Sequence, residues 1–403
     1  MSIVKRVLRV FAFRQFLIAT LLCVSGCGVI AEISKKQVSV GYRSACLAIP
    51  DAVGEARRHM GKVGESLPRC QSLSRDEFVA LGSALLSEEI SEKELLREGE
   101  IFRRIGLIPS NYPYARCIHS AYTAEASAFY SPSRNTIFTP DWFRVPFPIL
   151  VHEAVHFLQR EDGDYTNDER FRGIFTDSAL ALGAMLEGEA LNIEERYLKE
   201  QSDGVVETEL PEHGRLEMSD PACEIPPSLK RHFYFQYDYG SLFWPRLDRI
   251  APDITRNQVF QNPPRTTREI IDPKSYVRRL KMASEGLNEV SKLEEMKCET
   301  DDETEVRSIG EYLLRSLFES VLPRHESFLA ARGLLSDCFR LMTAKEHGKG
   351  SEIMRWSLSF ETENDVQEAM SAFDLLAERQ NVEFLRGARA GDLRVDFYSA
   401  APK

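Results

Sequence analysis

The sequence predicts an α+β fold, mainly helical, with one small sheet ahead of its central helices and a second at its end. Three observations carry that expectation. Apolar residues recur at helical spacing through "RDEFVALGSALLSEEISEKELLREGEIFRRIGLI". Short apolar runs flank the turn formers Ser131-Pro132-Ser133-Arg134-Asn135 in "SAFYSPSRNTIFTP", as expected of two antiparallel strands joined by a loop. Near the end, "CFRLMTA", "EIMRWSLSF" and "DLRVDFYS" read as strands around the helical "ENDVQEAMSAFDLLAERQ", a small terminal α+β unit. With 43% hydrophobic and 28% charged residues among 403, the chain has apolar material for one large core or two to three smaller ones.

The first residues read as an export signal. Lys5, Arg6, Arg9 and Arg14 lead into "FLIATLLCV", an apolar run too short to span a bilayer as a mature helix. The order Val24-Ser25-Gly26-Cys27 resembles the lipobox of bacterial lipoproteins, in which the cysteine receives a lipid and becomes residue one. That resemblance implies an envelope protein anchored to a membrane through Cys27, and Gly28 in place of aspartate points to the outer membrane, facing the periplasm. The formal charge of −11 becomes more negative once the basic signal is lost, which disfavours nucleic acid as a partner. Without Cys23 and Cys27, an even set remains: Cys46, Cys70, Cys117, Cys223, Cys298 and Cys338. An oxidising compartment could pair these, the alternative being buried unpaired thiols. None lies in a C-x-x-C motif, and spacing alone does not choose the pairing.

These features divide the chain into a signal at 1–26, a tether at 27–45, a main domain at 46–300 and a terminal unit at 301–403. Within the main domain, 125–200 forms the motif core and 201–228 a polar, proline-bearing long loop. Pro146 and Pro148 suit a helix start, so a helix is expected from Phe147 to Gln159 and a second from Ser178 to Glu200. The aromatic-dense "HFYFQYDYGSLFW" reads as buried, "NPPRTTREIIDPKSY" as loop with a short helix, and Ile309 to Arg332 as one helix.

The chemistry lies in "LVHEAVHFLQ". On a helix, His152 and His156 stand one turn apart on nearly the same face, so both imidazoles can meet one ion. Glu153 lies about 100° round from His152, out of reach of that ion but able to reach a water beside it. This is the arrangement of metal-assisted hydrolysis with a carboxylate as general base. A catalytic zinc takes three protein ligands, and no third histidine follows His156 closely. A carboxylate from a later helix is the remaining choice. Glu187 and Glu189 in "LEGEA" both interrupt an apolar face, where a charge needs a partner: a metal, solvent or an arginine.

His152, Glu153 and His156 with a glutamate on the following helix resemble the gluzincin, thermolysin-like zinc metallopeptidases. More closely, "HEAVHFLQ" followed by "AMLEGEA" is similar to exported bacterial predicted metallopeptidase lipoproteins that pair HExxH with EG(E/D)A. The likeness extends through "SAFYSPSRNTIF", "YDYGSLF", "PPRTTREIIDPKSY", "IGEYLLRSL" and "RWSLSFETENDVQEAMSAF", most of residues 125–380. It implies a mainly helical zincin-like domain with a small edge sheet and one zinc ion held by His152, His156 and Glu187. Glu189 would be a supporting position and Glu153 the general base. It also implies a peptide or protein substrate laid along the strand that carries Ala128 and Tyr130.

The sequence departs from thermolysin-like enzymes at Leu191, where they carry an aspartate that supports a zinc histidine; Asp177 and Glu189 are the candidates for that support. Tyr239 in "YDYG" is the candidate for stabilising the oxyanion, with Tyr237 and His232 as rivals. Two other readings stay open: an envelope scaffold or assembly lipoprotein with a structural metal, and another zinc amide or ester hydrolase. The sequence does not determine the oligomeric state.

Overall fold

The computed structural model describes residues 45–124, 127–165, 168, 173, 175–201, 223–286, 308–343, 352–380, 384–389 and 392–398. The signal, the tether up to residue 44, Cys27, Cys298 and most of the 201–228 loop lie outside these residues. The described chain is mainly helical with two small sheets, an α+β architecture.

It opens on α1 (Ala45–Met60), β1 (Arg69–Leu73), α2 (Arg75–Glu89), α3 (Glu92–Arg104) and α4 (Tyr114–Ala124). Ser74 and Ser91 begin α2 and α3 as capping boxes with Glu77 and Glu94, satisfying amides that the first helical turn leaves open. A hairpin follows, β2 (Phe129–Ser131) and β3 (Thr136–Pro140), turning at Asn135 with a left-handed φ of 46°. The first sheet has the order β1-β3-β2, with β1 parallel and β2 antiparallel to β3, so β2 forms one edge.

Then come the two motif helices, α5 (Phe147–Arg160) and α6 (Asp177–Glu200). Pro146 and Pro148 start α5 where prolines need no backbone donor, and the Thr176 side chain caps α6. Alpha-helix α1 lies along α5. Its Ala48, Ala52 and Ala56, with Ile49 and Val53, present a small-residue face to Leu150, Val151, Ala154, Val155 and Leu158 of α5. Tyr130, Ile137, Ala190 and Ile193 complete this core. Burial of that face fixes which side of α5 the histidines occupy. Cys46 is bonded to Cys70, tying α1 to β1.

The remaining helices are α7 (Pro227–Asp238), α8 (Gly240–Ile250), α9 (Arg256–Gln261), α10 (Thr267–Ile271), α11 (Pro273–Ser284), α12 (Gly310–Phe318) and α13 (Arg324–Ala331). In the aromatic-dense stretch that forms α7 and α8, Phe235, Phe243 and His232 are buried, but Leu242 is exposed. The single helix expected from Ile309 to Arg332 is broken. Residues Glu319–Pro323 separate α12 from α13, and Pro323, which cannot donate within a helix, begins the second one instead. Cys117 is bonded to Cys223 across the chain, and Cys338 is also in a disulfide.

The terminal unit contains β4 (Leu334–Thr343), β5 (Glu352–Phe360), α14 (Glu363–Gln380), β6 (Phe384–Arg389) and β7 (Asp392–Tyr398), with sheet order β4-β5-β7-β6 and every pair antiparallel. Strand β6 is additional to the expected set. This unit shares one continuous core with the helices, from Leu86 through Met185, Phe243 and Leu314 to Trp356 and Phe373. No helix among the described residues is long and apolar enough to cross a membrane.

Candidate metal centre

The site is made where α5 and α6 lie side by side. His152 and His156 project from α5 and Glu187 from α6, and one donor atom of each lies within 4.8 Å of the others. His152 Nε2 is 3.0 Å from Glu187 Oε2, His156 Nε2 is 3.5 Å from Glu187 Oε1, and the two Nε2 atoms are 3.1 Å apart. Glu187 is therefore directed at both imidazoles rather than at solvent.

Hydrogen bonds behind the rings fix what those atoms are. His152 Nδ1 faces the Glu194 carboxylate at 3.2 Å and donates to it. His156 Nδ1 is 2.8 Å from Gln159 Oε1. The orientation of that amide follows from its other end, where Gln159 Nε2 donates to the Leu186 carbonyl at 2.9 Å. With both Nδ1 atoms protonated as donors, each imidazole in its neutral form presents an Nε2 lone pair inward. A proton on His152 Nε2 can bridge to Glu187 at 3.0 Å; once it leaves, two lone pairs and a carboxylate converge on one point. That is unfavourable unless a cation occupies the meeting point, and two imidazole nitrogens with one carboxylate oxygen are a donor set that suits zinc. The residues fit the ion.

The electrostatics agree. Burial lowers the proton affinity of His152, yet hydrogen bonds and charge from Glu187 and Glu194 overcome it and hold it well above the usual imidazole range. For Glu187 burial acts upward, and the neighbouring His156 and His152 outweigh it, holding the carboxyl well below its ordinary value. A site that draws protons onto its histidines this strongly attracts a divalent cation by the same field.

Glu153 is buried beside the ligands, and its pKa is raised, first by burial and against the pull of His156 and His152. Its Oε2 accepts a 2.7 Å hydrogen bond from the backbone N–H of Tyr130. That bond leaves the strand on the side away from β3, so the outer edge of β2 runs past Glu153. The Tyr130 hydroxyl donates to Asn135 and its ring packs edge-on against Phe157. Ala128 precedes β2 and is buried.

Alpha-helix α6 is placed by a backbone crossing with α8. A Cβ on Gly188 would lie 2.1 Å from the Gly240 carbonyl oxygen, and one on Gly240 would lie 2.3 Å from the Ala184 carbonyl oxygen. Neither glycine tolerates a side chain at this crossing, which sits between Glu187 and Glu189.

The expected support for the histidines is corrected for Asp177, and for Glu189 it is indirect. Asp177 lies at the far end of α6, where it accepts from the Thr267 backbone and hydroxyl at 2.7 and 2.6 Å, and so does not serve a histidine. Glu189 touches neither ring; it accepts from Gln159 and pairs with Arg256. The residues in contact with the imidazoles are Glu194 and Gln159, which the sequence reading did not assign. Their signal was present as spacing: Gln159 is one turn beyond His156, and Glu194 is two turns beyond Glu187 on the same face.

Of the oxyanion candidates, Tyr239 accepts a 3.0 Å hydrogen bond from Arg315, stacks on Phe235 and meets Tyr312 edge-on, with no described contact to the three ligands. His232 is a core histidine that donates to the Ser228 carbonyl, and burial pushes its pKa down to about 4. Comparison with protein-family models, curated proteins and solved structures gives no match.

Proposed function

We propose that this protein is a zinc-dependent peptidase with a gluzincin-like, zincin-type catalytic domain, carried on a lipid anchor at Cys27 in the bacterial cell envelope. The observation that carries the reading is the convergence of His152 Nε2, His156 Nε2 and Glu187 with Glu153 beside them and a strand edge alongside. His152, His156 and Glu187 hold the ion. When bound, zinc supplies Lewis acidity where the three donors meet, worth several kcal/mol of charge stabilisation.

The chain's own groups do the rest. Glu153 removes a proton from the water that attacks the scissile carbonyl carbon, forming a new C–O bond. It returns that proton to the amide nitrogen as the C–N bond breaks, so both products leave with protons in balance. Burial suits this shuttle, because raising the carboxyl pKa makes Glu153 a stronger proton acceptor than an exposed carboxylate. An extended peptide would lie along the outer edge of β2 at Tyr130 and at Ala128 just before it, pairing through main-chain groups other than the Tyr130 N–H that Glu153 holds. Glu194 and Gln159 hold the histidine tautomers that the metal requires.

The test is zinc content and peptide hydrolysis on the purified chain. One zinc per chain and loss of hydrolysis in Glu153→Gln, with zinc retained, are expected. Absence of zinc, or hydrolysis unchanged in Glu153→Gln, contradicts the proposal. For the anchor, Cys27→Ser is expected to move the protein from the membrane fraction to the soluble fraction.

A further inference from the structure

The two histidines of the cluster have unlike partners. His152 donates directly to a carboxylate, whereas His156 donates to a neutral amide, Gln159. Behind that amide the chain supplies the missing charge. Gln159, 2% exposed, donates through Nε2 to Glu189 Oε2 at 3.0 Å. Arg256, from α9, grips Glu189 with both arms of its fork, Nε to Oε1 and Nη2 to Oε2, the latter at 2.8 Å. Its third nitrogen reaches Asp162, just beyond the end of α5, and Lys62 bonds the same carboxylate at 2.6 Å. The Arg256 guanidinium also stacks 4.1 Å above the Phe260 ring.

Each link has a physical consequence. An amide whose N–H donates to a carboxylate becomes a stronger acceptor at its oxygen, so the charge of Glu189 sharpens the pull of Gln159 on the His156 proton. That pull raises the donor strength of Nε2, as a directly bonded carboxylate does in other metal sites. Glu189 is too buried to keep a charge without compensation, and a planar guanidinium bonded at two points both neutralises it and fixes its rotamer. We infer that Arg256 is a positioning residue for the metal ligand His156, acting through Glu189 and Gln159. This inference rests on the zinc reading of the cluster.

The test measures zinc affinity on the full chain by competition with a chromophoric chelator, with the melting temperature of the metal-free protein recorded beside it. Gln159→Leu is expected to weaken zinc binding by about 10–100-fold, the usual range for loss of a group behind a metal ligand. Arg256→Met is expected to weaken it about tenfold, and to have no further effect once Gln159→Leu is present, because both act on one path. A purely structural arginine would lower the melting temperature and leave affinity unchanged. Arg256→Lys keeps the charge without the fork; it is expected to lose affinity in the same direction by less, and it decides the matter if Arg256→Met does not fold.

Parental affinity in the folded Arg256 variant, or effects of Arg256 and Gln159 that multiply independently, overturns the inference while leaving the zinc site standing. A parent chain that takes up no zinc overturns both, and is a separate outcome.

Discussion

Two clusters of buried acceptors, each with a carboxylate from α6, behave in opposite ways. At the start of α6, Asp177 accepts from the Thr267 N–H and hydroxyl. Nearby, Asp337 accepts from Ser308 Oγ, the N–H groups of Ile309 and Gly310, and Trp356 Nε1. Those carboxylates are answered by donors from the chain itself, and burial pushes the Asp177 pKa up to about 7. Further along the helix, Glu187 meets two imidazoles whose Nδ1 donors are used outward, so only an added proton or a cation can join the inward Nε2 atoms to it. A buried acidic group is thus no sign of a metal by itself. The direction of the lone pairs decides, and only the second cluster leaves a place for a cation.

The largest effect that would break this contrast is on zinc itself. His156→Ala or Glu187→Gln is expected to abolish stoichiometric zinc in the purified chain, whereas Asp337→Ala should leave zinc binding intact. Asp337→Ala should instead cost stability, because four donors lose their acceptor; several kcal/mol is the scale expected, read by chemical denaturation. Zinc lost equally in both would erase the distinction.

Next in size is the helix crossing. Gly188→Ala places a methyl 2.1 Å from the Gly240 carbonyl and is expected to separate α6 from α8, lowering both stability and zinc affinity. Gly183→Ala, on the same helix, meets only the far end of the Gln236 side chain and should be milder in a melting experiment.

The Cys117–Cys223 bond closes a separation of 106 residues, and Cys117→Ser with Cys223→Ser is expected to cost about 5 kcal/mol in the chain-entropy account. Zinc stoichiometry in the oxidised and reduced chain checks whether that loss stays remote from the metal site.

The smallest effect concerns pH. Burial raises Glu311 to about 8, and Asp177 to about 7, both well above their ordinary values. The folded state therefore holds protons that the unfolded state has released, and the stability these groups contribute falls as pH rises from about 4 toward 8. Glu311→Gln is expected to flatten that slope and to raise stability at pH 8 by up to a few kcal/mol, measured by denaturation at pH 5 and pH 8. An unchanged slope would show that Glu311 does not hold its proton in the folded chain.

The sequence was most informative where local rules and burial agree. Prolines at 146 and 148, and an apolar face long enough to need a partner, located α5 and α6 almost to the residue. Asn135 marked the hairpin turn because few residues accept its backbone conformation. The two histidines followed from helical geometry, and Glu187 from the resemblance of "LEGEA" to a family motif. What stayed hidden depends on neighbours distant in the chain. Nothing local marks α1 as the helix that covers α5, since its alanines matter only against Leu150 and Ala154. Glu194 and Gln159 have ordinary helical spacing until the histidines are seen to need donors' partners. Asp177 seemed available for a histidine because sequence does not show that α6 carries it away toward Thr267.

The most direct measurement is zinc-edge X-ray absorption on the purified full chain. The account predicts two imidazole nitrogens and carboxylate oxygen at about 2.0–2.2 Å, and no sulfur. A chain without zinc, or a bound zinc with a sulfur shell or no imidazole pair, would contradict it.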